Sequence, residues 1–314
     1  MRYAVLTSAL LATTLMPAVV WAQEDGLVVV TGLAPLYSIT ASLAEDTAIE
    51  VRNVPAAPAS MATLSRLLER ADPTELAEAD AVVTIGGVWP QDPLFATVRG
   101  QNIHVVEIDA SVPLSGGREG VALVQNPLSR PDWRETSPAE GGEPSAYVWL
   151  SLSNAVRMAE IIADDLRRLA PDAADAINAN LASFQGDVRA LMLDANESLV
   201  AADNVAAYAL SDKFAYLLTD LGIFVDGSFI EQDIRWTPED FAGLQNTLES
   251  RMIPLVIHEW EPEQTIIDTV TASGAELVVL DALDPSLADA ELSADFYLET
   301  MRSNIEKIVG VLSP

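Results

Sequence analysis

Short runs of Val, Ile and Leu with almost no polar alternation recur along the chain. Residues 27–31, 49–53, 81–85 and 103–108 form one set, and 205–210, 223–225, 253–258 and 276–280 a second. Strands that bury one face alternate apolar and polar residues, whereas the strands of a parallel sheet, covered on both faces, read as continuous apolar runs. Between the runs lie stretches of helical period at 35–45, 62–70 and 93–99, and later at 212–221, 238–251, 262–272 and 294–312. Strand and helix alternating in this way make a parallel sheet. The pattern predicts an α/β protein of two lobes, each with a four-stranded parallel sheet flanked by helices.

A different pattern separates the two sets. Residues 111–146 carry Gly116, Gly117, Gly120, Gly141 and Gly142 together with Pro113, Pro127, Pro131, Pro138 and Pro144, which marks a long loop. Two helices follow. In 154–170, Ala155, Met158, Ile162, Leu166 and Leu169 share a face and Pro171 ends the run. In 173–201, Ile177, Leu181, Phe184, Val188, Leu191 and Ala195 recur at steps of three and four. A helix of that length reaches about 40 Å at ~1.5 Å per residue, enough to run the length of a lobe as a rigid linker. The expected organisation is a signal peptide at 1–22, an N-terminal α/β lobe at 23–150, a helical segment with the linker at 151–203, and a C-terminal α/β lobe at 204–314.

Charge and composition narrow the function. Arg2 precedes an apolar run over 4–20, and Val20-Trp21-Ala22 forms a small-residue cleavage site before Gln23, the mark of an exported, periplasmic chain. No later run approaches the ~20 apolar residues of a membrane span. A formal charge of -30 argues against nucleic acid and anionic membrane surfaces as partners and favours attraction of cations. With no cysteine, disulfides, thiolate ligands and a cysteine nucleophile are excluded. His104 and His258 are the only histidines, too few for a three-histidine zinc centre. Neither a Gly-x-Ser-x-Gly elbow nor a phosphate-binding Gly-rich loop ending in Lys is present, so no enzyme class is indicated.

In open parallel sheets, ligands bind at the carboxyl ends of the strands. That edge selects Ser211, Asp212, His258, Glu259 and Asp281 in the second lobe, and Thr31, Gly32, residues 53–55, residues 86–89 and Asp109 in the first. Several carboxylates suit a hard divalent cation, and the imidazole of His258 would tilt the choice toward a transition metal. The plainer alternatives are a helix cap for Asp212, before a helix starting at Lys213, a strand terminator for Asp281, and ordinary strand residues for His104 and His258. Tyr147, Trp149, Trp89, Trp236 and Trp260 either line an organic-ligand pocket or pack in the core.

Six segments carry a family likeness in order and spacing: VVVTGLAPLYSITASLA, LAEADAVVTIGG, YVWLSLSNAVRMAEIIADDL, LSDKFAYLLTDLGI, VIHEWEPEQTIIDTVTASGAELVVLDAL and DFYLETMRSNIEKI. Together they span most of the chain, and in them it resembles the zinc/manganese solute-binding proteins of metal ABC importers, the cluster A-I group. The resemblance implies two lobes on a rigid linker helix, and export of a monomer without enzymatic activity that hands its solute to an inner-membrane permease. Members hold their metal with three histidines, or two and a carboxylate, often with a late aspartate. Here residues 54–80 contain no histidine, the second position is Tyr147, the third is Ser211, and Asp281 keeps the late aspartate. The loop before Tyr147 is also free of histidine. The expectation is therefore one divalent ion in an oxygen-rich site drawn from Asp281, Asp212, Glu259, Tyr147, Ser211 and His258, with Trp89, Trp260 and Trp149 lining the cleft. A metal chelate or small organic solute held by Tyr147 and the tryptophans is the alternative ligand, and a metal chaperone or sensor the alternative role. Successive strand side chains face opposite ways, so either His258 or Glu259 faces the cleft.

Overall fold

The structure, a computed structural model, describes residues 26–56, 59–114, 116–129, 131–134, 142–285 and 292–313. The signal segment read in 1–22 lies outside them.

The first sheet contains β1 (Val28–Thr31), β2 (Glu50–Asn53), β3 (Ala81–Thr84) and β4 (Val106–Asp109), all parallel, in the order β2-β1-β3-β4. Four helices accompany it: α1 (Ala34–Ala44), α2 (Met61–Leu68), α3 (Pro73–Ala77) and α4 (Leu94–Gln101). Val29, Val30, Val82 and Val83 are fully buried, as unalternating runs require. Two helices then intervene, α5 (Leu152–Leu169) and the 27-residue α6 (Ala174–Val200). The second sheet holds β5 (Ala206–Ala209), β6 (Phe224–Ser228), β7 (Leu255–His258) and β8 (Glu276–Val279) in the order β6-β5-β7-β8. With it come α7 (Ala215–Asp220), α8 (Pro238–Arg251), α9 (Gln264–Ala272) and α10 (Phe296–Leu312). Both sheets thus reverse direction at the same place, between β1 and β3 and between β5 and β7. Such a switch point opens a crevice beyond the carboxyl ends of those strands.

The long helix α6 buries Ile177, Phe184, Val188, Leu191 and Ala195, the stripe read from the sequence, against α5, α1 and α10. It therefore touches helices belonging to both sheets. Further bonds staple the halves. The Trp149 indole N–H donates to the Ala282 carbonyl at 3.0 Å, and the Tyr297 hydroxyl donates to the Trp149 carbonyl at 2.7 Å. Ser38 Oγ donates to the Ala294 carbonyl and accepts from the Tyr297 N–H.

The loop over 111–146 lies partly outside the described residues; within them, Leu128, Ser129, Trp133 and Arg134 pack on the second sheet and its helices. Trp133 stacks over Tyr208 and meets Phe229 edge-on, and its N–H reaches Asp240 at the first turn of α8. A Cβ at Gly243 would lie 2.2 Å from the Trp133 ring, so the indole seats only because that helical position is glycine.

Three local expectations are corrected. His104 precedes β4 rather than lying inside it. Its N–H donates to Asn102 Oδ1, the Asn102 amide binds the Ala79 carbonyl, and the resulting turn leaves His104 exposed. Asp212 does not cap α7, which begins at Ala215 with Phe214 as its N-cap residue. The helix α3 was not read from the sequence, although Asp72 caps it and Pro73 opens it, both ordinary start signals.

Candidate functional site

At the carboxyl edge of the second sheet the chain leaves β5 through Leu210 and Ser211, and Ser211 Oγ accepts the Lys213 N–H at 3.3 Å. This turn folds the Lys213 side chain inward. Its ammonium stands 2.5 Å from Glu259 Oε2 and 3.8 Å from Asp284 Oδ2, and donates to the Asp284 carbonyl at 3.4 Å. The same ammonium lies 5.2 Å from the centroid of the Tyr147 ring, within cation–π range. All of these side chains are largely withdrawn from water: Lys213 is 18% exposed, Glu259 15% and Asp284 4%.

Each partner is aimed by local structure. Beyond β7, His258 Nδ1 accepts the N–H groups of Glu259 and Trp260 at 2.9 and 3.1 Å. That tight turn sends Glu259 toward Lys213 and leaves the imidazole behind. Beyond β8, Asp281 Oδ1 accepts the Leu283 N–H at 2.7 Å, and the Asn304 side chain grips the Asp281 backbone on both sides. Leu283 takes a left-handed backbone, φ 59°, costing about 1–2 kcal/mol for a residue with a Cβ. The bend presents Asp284. Its Oδ1 accepts the Met61 N–H at 2.6 Å from the first turn of α2, across the interlobe boundary. Tyr147, in the loop before α5, lies close enough to Asp284 to feel its charge. Both lobes therefore build the cluster.

The electrostatics follow from burial. Burial pushes the Tyr147 phenol far up, with the Asp284 carboxylate adding to it, so the ring stays neutral. Burial also raises Glu259, against the pull of Lys213. Asp212 lies close enough to add its negative charge to both groups. Three carboxylates (Asp212, Glu259, Asp284) against one ammonium leave a net charge of about −2, three minus one. The arrangement attracts cations. Among the described residues, no group of three or more His, Cys, Asp or Glu side chains is placed so that it could hold a metal ion; Glu259 and Asp284 both face Lys213 instead.

Of the residues read from the sequence, Tyr147, Ser211, Asp212 and Glu259 come together here. Asp281 is three residues from Asp284 and shapes the bend that aims it. His258 does not join. It is buried, its Nε2 lies 3.8 Å from Asp233 Oδ1, and its ring meets Trp260 edge-on at 4.4 Å. Burial pushes its pKa down to about 4. The tryptophans have partners of their own. Trp149 is fully buried as a strut between the lobes. Trp260 lines a different pocket of about 970 Å³ beside β8, with Glu261, Ile267 and Val311. Trp89 packs against the first lobe's core, its backbone N–H on the Ile85 carbonyl. Trp236 packs between Phe229 and Phe241. In the first lobe Asn53 and Asp109 serve their own loops, Asn53 bonding Thr31 and Pro55, Asp109 bonding Gly87 and Ser111.

Lys213 and Asp284 were not foreseen. A signal for the first was present: Lys213 is one of only two lysines in a chain with 47 acidic residues. Nothing comparable marked Asp284.

A family model described as "Zinc-uptake complex component A periplasmic" matches residues 29–311. No curated protein matches the sequence. Among solved structures, a mutant of FpvC from Pseudomonas aeruginosa superposes with a TM-score of 0.70 at 21% identity, covering 91% of this chain and 99% of that one. FpvC solved in complex with Mn²⁺ gives 0.65 at 21% identity, covering 91% and 98%. The Zn(II)-bound ZnuA-like domain of Streptococcus pneumoniae AdcA gives 0.66 at 21% identity, covering 92% and 100%.

Proposed function

The chain belongs to the family of periplasmic zinc-uptake components, and from that premise we propose that it is the exported solute-binding component of an ABC importer, carrying one divalent cation to an inner-membrane permease. In this reading it acts as a monomer and has no catalytic role. Its working parts are two lobes, 23–150 and 204–314, held by the helical segment 151–203. The observation that carries the reading is the interlobe cluster, where a half-buried cationic group is already paired with Glu259 and Asp284 inside a site of net negative charge. The relatives described above with Mn²⁺ and Zn(II) support a metal as cargo.

The donor set differs from a histidine site. Glu259, Asp284 and Asp212 are hard oxygen donors, with Tyr147 and Ser211 beside them and Asp281 holding the bend. Oxygen ligands favour ions such as Mn²⁺ over the imidazole- and thiolate-seeking Zn²⁺. Calorimetric titration of untagged protein with Mn²⁺ and Zn²⁺ tests this. Mn²⁺ should bind, zinc should bind more weakly than nanomolar, and Asp284→Asn should lose at least ~10-fold in Mn²⁺ affinity, about 1.4 kcal/mol. Asp281→Asn, acting through the bend, should lose less. Nanomolar zinc at neutral pH would overturn the oxygen-donor assignment, and binding of no divalent ion would overturn the cargo.

A further inference from the structure

Lys213 occupies a place that no binding role yet explains. Its ammonium sits 2.5 Å from Glu259 and is flanked by both the carboxylate and the carbonyl of Asp284. Divalent cations coordinate oxygen at roughly 2.0–2.6 Å. An ion shared by Glu259 and Asp284 would have to stand between their oxygens, within contact distance of the place Nζ now holds 2.5 Å from Glu259 and 3.8 Å from Asp284. The other oxygen of Asp284 is taken by the Met61 N–H. Two cations cannot share these oxygens at contact distance in a largely dehydrated site, because each would repel the other with little water to screen them.

We propose that Lys213 is the specificity-determining residue of the site, a built-in cation that occupies the cage between cargoes and that the incoming divalent ion must displace. The inference rests on the cargo reading above. The lysine stem is flexible and its ammonium is a compact, strongly hydrated point charge, so it can leave the cage for water without moving the backbone of β5. A monovalent ion offers the carboxylates no more charge than the ammonium it would replace. A divalent ion does, so the device selects for charge. Return of Lys213 to the cage also replaces the lost positive charge as cargo departs, which favours release.

The two-lysine sequence makes the test direct. Amines of the full-length mature protein are labelled with a limiting N-hydroxysuccinimide ester, with and without saturating Mn²⁺, and read by peptide mass spectrometry. Lys307 serves as the internal standard. Displacement should raise Lys213 labelling at least ~5-fold relative to Lys307. Unchanged or lower labelling at demonstrated Mn²⁺ saturation would overturn the inference while leaving the cargo reading intact. In parallel, Lys213→Met should bind Mn²⁺ at least ~10-fold more tightly than the wild type. Its metal-free melting temperature should be lower, since Glu259 and Asp284 lose their partner, and Mn²⁺ should restore it. Equal or weaker binding by a folded Lys213→Met protein would also overturn the inference. If neither protein binds Mn²⁺ or Zn²⁺, the cargo reading fails and the displacement role fails with it. Should Lys213→Met not fold, the labelling experiment on the wild type still decides.

Discussion

Asp240 is fully buried at the start of α8 and accepts five hydrogen bonds. On Oδ1 it receives the Trp133 indole N–H at 3.0 Å and Arg134 Nε at 2.7 Å. On Oδ2 it receives Arg134 Nη2 at 2.6 Å, the Thr237 N–H at 2.8 Å and the Thr237 hydroxyl at 2.7 Å. The single carboxylate thus closes the capping box of α8 and pins the long loop to the second sheet. Asp240→Asn keeps the shape but offers one acceptor oxygen. In either orientation its NH₂ group faces two N–H donors that cannot turn away. Hydrogen bonds to a charged group contribute roughly 1.5–3 kcal/mol each, and breaking a buried charge pair costs about 3–5 kcal/mol. The expected loss is therefore about 3–5 kcal/mol at neutral pH. Urea unfolding measures it directly, and a melting temperature lower by at least ~6 °C should accompany it. Proteolytic cutting near Trp133 should also accelerate.

Acid adds a second reading of the same variant. Burial alone would raise the Asp240 pKa, but the bonds from Arg134, Thr237 and Trp133 outweigh it and hold the carboxyl well below the usual range. A carboxylate with a depressed folded pKa stabilises fully above its unfolded value near 4 and loses that contribution as pH falls through the folded value. The gap between wild type and Asp240→Asn should stay constant above about pH 5 and narrow below about pH 4. A loss under ~1 kcal/mol, or a gap that does not narrow in acid, would refute the role assigned to Asp240.

Two further outcomes follow from buried geometry. Gly243→Ala places a methyl group 2.2–2.8 Å from three atoms of the rigid Trp133 ring. It should cost about 1–3 kcal/mol and shift tryptophan emission to the red, and an unchanged melting curve would show that the indole is not seated there. His258, buried and neutral with its pKa pushed down to about 4, binds its proton more readily unfolded, near pH 6.5. Its contribution is present above pH 6.5 and declines as pH falls toward about 4, by up to roughly 3 kcal/mol. Urea midpoints at pH 7.5 and 5 should therefore lie closer together in His258→Asn than in the wild type, and equal pH dependence in both would refute the assignment.

The sequence by itself determined the layers. Continuous apolar runs such as Ala81–Thr84 and Leu255–His258 can be satisfied only by strands covered on both faces, and the alternation with helices makes the sheets parallel. The stripe from Ile177 to Ala195 likewise specified a single long helix, because its spacing of three and four persists across Gly186 with no proline to stop it. The sheet edge that holds Ser211, Asp212 and Glu259 was legible too, since the carboxyl ends of parallel strands all lie on it. Side-chain direction beyond a strand end was not legible. Glu259 turns inward and His258 away because His258 Nδ1 captures two backbone N–H groups, a local bond with no periodic trace. Asp284 enters the site only because Leu283 takes a left-handed turn and Met61, 223 positions away in sequence, donates its N–H from the other lobe. Trp149 reads as a pocket aromatic by type, yet burial between the lobes makes it a strut. Periodicity reports which face an element buries, whereas the partners of a charged side chain in a crevice are set by the packing of two lobes. The tertiary structure alone decided that the cation at the centre of this cluster is Lys213.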